Sequence, residues 1–443
     1  MPLIKPFPGL LYADARPDSV ARVLAPPFDM IGPADQERLF AGSAHNIAWL
    51  TVARWGADPG YRQAAERLAG WRAQGVFARD VCPAFYVYEQ IPGQPDPVLS
   101  PEAQPSRLRA FLAATHIEDA QGPGIYPHEN TFEGPIRDRV ELIEATGCHL
   151  EPVFGIYTDD SARVGPALDR ATQEAPIWET VLADGSTHRL WRLTDPSEQG
   201  LLRDVLADRP VVIADGHHRF AGARAYRDRR RTRGETDPDA PHEYTLMLLA
   251  DTETSGLAVG AYHRVVRVLP DGRDDPHLPG LLGPDFEVAE LAVGDATDKG
   301  AVKALLARLA DDGRGGPIFA CCVGARTLLV RPANPQDLLR TAVPTVTPDL
   351  QAFDVVLLHR LILKPRLGLT GDYGSEARNI LFEHNPLAAW RAARAGQAAM
   401  AWFVNPADVH AVMRVAFAHH HVPQKATYFH PKPPSGMVVY EVS

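Results

Sequence analysis

The sequence predicts a mixed α/β protein, α+β in layout, with more than one packed unit. Three observations lead there. Short runs of aromatic and β-branched residues alternate with amphipathic helical stretches along the whole chain. A β-α-β-β pattern stands out at about 284–332. The length, 443 residues, exceeds what one hydrophobic core usually organises. On this reading an N-terminal α/β core occupies 1–275, and a C-terminal α/β region containing the β-α-β-β unit occupies 276–443.

The elements can be taken in order. In "VLAPPFDMIGPADQERLF", Pro26-Pro27 marks a turn, and Gly32-Pro33 opens a helix. Tyr61 to Gln74 reads as a helix with Ala64, Leu68 and Trp71 on one face and Gly75 as its stop. "AFYVYEQI" and "RLRAFLAATHI" read as strands, and 121–135, "QGPGIYPHENTFEGP", as a long Gly/Pro-rich loop of the kind that often carries function. "DRVELIEAT" is a helix, and "LEPVFGIYTD" and 184–194 are strands. Arg227 to Asp239 reads as an exposed helix end and loop. "DLQAFDVVLLHRLIL" predicts one strong amphipathic helix, and the tail alternates strand and helix down to "SGMVVYEVS".

Composition narrows the function classes. With 45% hydrophobic and 23% charged residues the chain can build a core, so disorder is not the default. A formal charge of -10 disfavours non-specific nucleic-acid binding. The four cysteines, Cys82, Cys148, Cys321 and Cys322, form no C-x-x-C pair, which predicts a reducing, cytoplasmic setting without disulfides or zinc. The start, "MPLIKPFPGLLY", has no signal-peptide core, and no run of about 18 apolar residues predicts a membrane span.

The chemistry concentrates in "VVIADGHHRFAGARAYRDRRR", Val211 to Arg231. A buried strand leads into Asp215-Gly216, and a helix follows from about His217. Asp215 is a favoured N-cap residue, and Gly216 permits a tight turn with close approach of a ligand. The free amides and positive end of such a helix favour an anion, above all phosphate. Arg219 adds a fork of donors, and His217 and His218 fit as neutral donors with lowered pKa or as proton carriers. The plainer alternative also stands: a common turn, incidental histidines, and an Arg219 paired with a core carboxylate. A shared metal ion is disfavoured, because adjacent helical residues point about 100° apart. Ala221, Gly222 and Ala225 predict a helix face that lies close to neighbouring backbone.

Several ordered blocks resemble the domain of unknown function 1015 family over nearly the whole chain. They are "PFPGLLY", "LAPPFDMIGP", "HNIAWLTV", "YPHENT", "DRVELIEAT", "PVFGIYTD", "IADGHHRFAGARAYRD", "AYHRVV" and "PQKATYFHPKPPSGMVV". One level out, "DGHHR" resembles the phosphate-binding motif of the ParB and sulfiredoxin superfamily, in the form found in free serine kinases. That likeness implies a ParB/sulfiredoxin-like core. In sulfiredoxin the segment reads Gly-Cys-His-Arg, and His217 stands where that catalytic cysteine would be, which argues against thiol chemistry here. His217 and His218 replace the Glu-Arg of ParB, and no helix-turn-helix DNA reader follows.

Other residues are candidates for the same site. Glu129, in "YPHENT", is a candidate general base or Mg²⁺ ligand, with His128 beside it, and Asp29 is a second carboxylate. His263 and Arg264 end a strand-like stretch, and Lys425, with Lys432, lies in the last block; these could reach substrate. Together the residues and the resemblance predict a nucleotide-dependent phosphotransferase that uses ATP or ADP with Mg²⁺. Asp215, Gly216, His217, His218 and Arg219 would hold the phosphates, with a small hydroxylated metabolite such as serine as acceptor. Two alternatives are a nucleotide-binding switch without turnover, which predicts a nucleotide-dependent homodimer, and a phosphate-ester hydrolase.

Overall fold

The computed structural model describes residues 3–52, 60–93, 106–118, 124–270, 277–292, 297–344, 346–369, 379–423 and 425–442. It is mixed α/β, and it packs as two compact units. The first is Met1–Gln94, Pro105–Leu257 and Pro431–Ser443, and the second takes in Ala258–His430. The sequence drew one cut at 275/276; the units exchange chain at 257/258 and again at 430/431. The return is built by pairing. Strand Tyr440–Glu441 lies antiparallel to Cys148–His149, Val439 bridges Leu10, and Ser435 bridges Ala25.

The first unit is organised by a mixed, nine-stranded sheet. Its order is Ile125–Tyr126, Val211–Asp215, Val153–Tyr157, Tyr244–Asp251, Leu108–His116, Phe85–Ile91, Thr187–Leu193 and Trp178–Val181, with Ile4–Lys5 also on Leu108–His116. The central strands are nearly continuous apolar runs, buried end to end, as strands covered on both faces must be. Phe85, Phe111, Trp191, Ile213 and Phe220 share one core cluster. The predicted face of helix Tyr61–Ala73 is buried: Ala64, Leu68 and Trp71 pack with Ile47 and Phe77. Gly75 follows with φ +71.

The long Gly/Pro-rich segment departs from a simple loop. Residues 121–123 lie outside the described ones, but Ile125–Tyr126 joins the sheet parallel to Val211–Val212. The segment is thus tied to the motif strand before helix Glu133–Thr146 begins.

In the second unit the β-α-β-β pattern is present. Phe286–Glu290, helix Asp298–Gly313, Phe319–Val323 and Arg326–Pro332 contribute three strands to an antiparallel six-stranded sheet. Met400–Phe403, His263–Val266 and Ile380–Glu383 complete it. Cys321 and Cys322 are buried in that sheet. The single amphipathic helix expected from "DLQAFDVVLLHRLIL" is instead broken into Pro348–Gln351, Asp354–Leu358, a π-turn at His359–Leu363, and Lys364–Leu367. Phe353 between the first two is extended, with φ -104 and ψ 107. Burial explains the break: Val355 to Leu358 and Leu361 to Leu363 are all buried, so the segment has core on several sides rather than one stripe. Among the described residues, no helix is long and apolar enough to cross a membrane.

Candidate functional site

Strand Val211–Asp215 carries four buried apolar residues that seat it between Ile125–Tyr126 and Val153–Tyr157. Its register against Val153–Tyr157 shifts between Ile213 and Asp215. A β-bulge at that point re-aims the side chain that follows. Gly216 comes next with φ +90, a backbone state that favours glycine. A Cβ on Gly216 would lie 2.9 Å from the Arg219 Cζ and Nε, so any side chain there must also displace the guanidinium. Helix His217–Thr232 then runs for 16 residues. Its first turn closes with the Phe220 N–H donating to the Gly216 carbonyl at 2.9 Å. The amides of His217, His218 and Arg219 therefore sit at the positive end of the helix.

The N-cap position is Gly216, which has no side chain to offer, rather than Asp215 as the sequence suggested. The helix starts at His217, so Asp215 lies one residue before the cap, and its carboxylate is held by two cations. Arg219 donates through Nη2 to one oxygen, and Lys432 donates through Nζ to the other. The Arg219 Nη1 donates to the Pro152 carbonyl, while its buried Nε has no hydrogen-bond partner among the described residues. Two arms of the expected phosphate fork are thus engaged within the protein. Burial works against the Arg219 charge, but Asp215, Glu151 and Asp29 outweigh it and raise its pKa. Asp29, itself exposed, lies within electrostatic reach of Arg219.

Glu151 ties distant segments to this point. Its Oε1 accepts from the Phe28 amide at 2.9 Å and from the Ser435 hydroxyl at 2.6 Å, and its Oε2 faces Arg139 Nη1 at 3.3 Å. Arg139 also donates to the Thr51 carbonyl at 3.1 Å and lies 3.8 Å over the Phe28 ring. Helix Glu133–Thr146, which carries Arg139, packs on the motif helix at Gly222, where a Cβ would sit 2.7 Å from the Arg139 Cβ. This bears out the expected close face at Gly222. Lys432, named from the last block, meets a carboxylate here, that of Asp215, whereas Ser435, Glu151 and Arg139 are the residues that motif reasoning passed over. Each lies in or beside a block already singled out, which was the available signal.

The two histidines face the loop that carries Glu129. His217 is buried, and burial first, then neighbouring His128, holds its pKa well below the ordinary value, with Asp215 opposing. Its Nε2 accepts from the His128 amide at 3.4 Å, and the two rings meet edge-on at 4.6 Å. The His218 Nε2 accepts from the Phe132 amide at 3.1 Å, and its ring stacks on Phe132. Glu129 is half-buried between those two contacts. Asp29, His128, Glu129, Asp215, Gly216, His217, His218 and Arg219 all belong to the first unit.

His263, Arg264 and Lys425 belong to the second unit, where each has an internal role. His263 is buried against Phe403 at 4.9 Å, and burial lowers its pKa to about 3. Fully buried Arg264 donates to His359 Nε2 at 2.9 Å and to the Tyr262 and Lys425 carbonyls. The Lys425 Nζ lies 5.4 Å over the Tyr262 ring. Among the described residues, no group of three or more His, Cys, Asp or Glu side chains is placed to hold a metal ion.

The family model described as "Protein of unknown function (DUF1015)" matches residues 4–341. No curated protein matches the chain. Among solved structures, a free serine kinase variant in complex with AMP is 12% identical, with TM-score 0.36, covering 76% of this chain and 89% of that one. Another free serine kinase variant, in complex with ADP, is 14% identical at TM-score 0.33, over 69% and 83% of the two chains. SbnI with C-terminal truncation from Staphylococcus aureus is 10% identical at TM-score 0.35, over 74% and 86%.

Proposed function

The chain belongs to the family described as "Protein of unknown function (DUF1015)", whose model spans residues 4–341, and we propose that it is a nucleotide-dependent phosphotransferase acting on a small hydroxylated metabolite. One observation carries this reading. A long helix starts on positive-φ Gly216, and Arg219 and Lys432 converge on Asp215 at its mouth. Helix amides, a guanidinium nitrogen with no hydrogen-bond partner among the described residues and a lysine together form an anion-binding arrangement suited to phosphate. In the free protein Asp215 neutralises the two cations. An arriving phosphate competes with Asp215 for Lys432 and accepts from the Arg219 Nε.

Phosphoryl transfer needs positioning and charge stabilisation more than covalent chemistry from the protein. Gly216 lets the nucleotide phosphates approach the backbone. His217 and His218, neutral and with Nε2 already accepting, each keep one N–H to donate. Glu129 or Asp29 takes the proton of the acceptor hydroxyl. Mg²⁺ bound with a nucleotide draws most of its ligands from phosphate and water. Asp29 and Glu129 are the carboxylates here that could complete its shell, and the ion would neutralise charge between the phosphates.

The test is to incubate the pure protein with ATP or ADP, Mg²⁺ and a panel of hydroxylated metabolites, serine first, and to follow ³¹P NMR. A new phosphomonoester is the expected result. Free phosphate alone marks a hydrolase instead. Nucleotide binding without turnover, together with dimerisation, marks a switch. Absence of both product and nucleotide binding overturns the nucleotide reading altogether.

A further inference from the structure

The adjacent histidines have a geometry that a phosphate-binding role does not explain. His217 Nε2 and His218 Nε2 both accept backbone N–H groups from one loop, those of His128 and Phe132. Those two amides are four residues apart and bracket Glu129. Adjacent residues at a helix start point in different directions, so the two rings can reach two separate places on the same strip of chain. A single histidine could pin that strip at one point only, leaving it to rotate about the contact. Two contacts fix both its position and its direction.

Ring packing reinforces both contacts. His128 meets His217 edge-on with centroids 4.6 Å apart, and Phe132 stacks on His218 with an interplanar angle of 20°. The loop is already tied upstream, where Ile125–Tyr126 pairs with Val211–Val212, and downstream it enters helix Glu133–Thr146. Between these anchors the two histidines tether 128–132 to the motif helix.

We infer that His217 and His218 are positioning residues, a two-point latch that holds the Glu129 loop against the first turn of the motif helix. A backbone N–H can only donate, so each Nε2 must present its lone pair. In a neutral ring the proton then sits on Nδ1. Neither ring can be the resting imidazolium, and neither can pass a proton through Nε2 without releasing the loop. The depressed pKa of buried His217 agrees with this. A cysteine or glutamate in place of His217 could not form the same contact with the same ring packing, so the latch gives the double histidine a reason of its own. The role assigned to Glu129 rests on the phosphotransferase reading; the latch itself does not.

The experiment therefore reads the latch directly, on the full chain without added ligand. Long-range ¹H–¹⁵N spectra of the histidine rings should show His217 and His218 as Nδ1–H tautomers at pH 7. Amide hydrogen exchange should show the Phe132 amide protected. His218→Leu, which removes the acceptor, should speed exchange there about tenfold, the size expected for losing one hydrogen bond. His218→Gln, whose side-chain oxygen can take the place of Nε2, should restore most of the protection. Strand Tyr244–Asp251 should stay protected in both variants and serves as the folding control. Nε2–H tautomers, or unchanged Phe132 exchange in a folded His218→Leu, overturn the latch. If His218→Leu does not fold, the wild-type tautomers decide. If the latch holds and no phosphotransfer is found, the phosphotransferase reading fails alone; if phosphotransfer is found with Nε2–H tautomers, the latch fails alone.

Discussion

Asp215 is the residue on which the local chemistry turns. It is 13% exposed at the side chain, and its partners Arg219 and Lys432 are each 8% exposed. Removing one member of a buried ionic group leaves charge without compensation, so Asp215→Asn should cost about 3 kcal/mol, read from urea denaturation. Gly216→Ala meets a different obstacle, since it forces alanine to φ +90 with its Cβ against the Arg219 guanidinium. It should cost about 1–3 kcal/mol and, on the proposed function, weaken phosphate binding as the first turn shifts. Buried histidines set the acid response. Burial holds His149 and His188 at about 4, against about 6.5 in an unfolded chain. Between those values the unfolded state binds more protons than the folded state, so stability rises with pH through that window. The contribution is complete above about 6.5 and is lost as pH falls toward 4. Buried Asp354, raised to about 6, works the other way in part of the same range, but it is one group against several histidines. The urea midpoint should fall between pH 7 and pH 5, and a flat profile would contradict this account.

At the scale of elements, the pairing of helix Glu133–Thr146 with the motif helix is the contact that matters most to the site. Two glycines in helices provide a matched comparison. Gly222→Ala drives a Cβ to 2.7 Å from the Arg139 Cβ, whereas Gly200, in helix Pro196–Ala207, has nothing within 4 Å. Gly222→Ala should destabilise by about 1–3 kcal/mol through overpacking. Gly200→Ala should stabilise by about 0.5–1 kcal/mol, because alanine is the better helix former. Thermal melts of the two variants should move in opposite directions. The end of the motif helix carries a related lesson. Arg227 to Asp239 reads as solvent-facing, yet Arg227 is 2% exposed and donates to the Ile117 carbonyl, and Arg231 pairs with fully buried Glu243. A run of arginines gives no local sign of which member turns inward.

At the scale of the whole molecule, the return of the chain end is decisive. Residues 431–443 belong to the first unit, bringing it Lys432, Ser435 and the strand that pairs with Cys148–His149. A chain ending at His430 should therefore lose the cooperative unfolding of the first unit while the sheet of the second persists. Limited proteolysis with mass spectrometry would show cleavage concentrated within residues 1–94 and 105–257. Equal loss of both units, or of neither, would refute that division of labour.

The sequence by itself determined what depends on neighbours along the chain. Apolar runs mark the strands around 85–91, 108–116 and 153–157, and the helix from Tyr61 shows its buried face. The strand, the Asp-Gly turn and the helix at 211–232 are legible because strand period, turn chemistry and helix period are all local properties. Tertiary structure decided the partners. Lys432 meets Asp215 across 217 positions, and Ser435 meets Glu151 across 284, separations that no periodicity records. It also decided that Arg219 turns inward to Asp215 and Pro152, and that both histidines accept hydrogen bonds at Nε2 rather than donate through it. Local sequence fixes backbone conformation over a few residues. Which donor meets which acceptor is settled only when the sheet, its bulge and the returning chain end close around the same point.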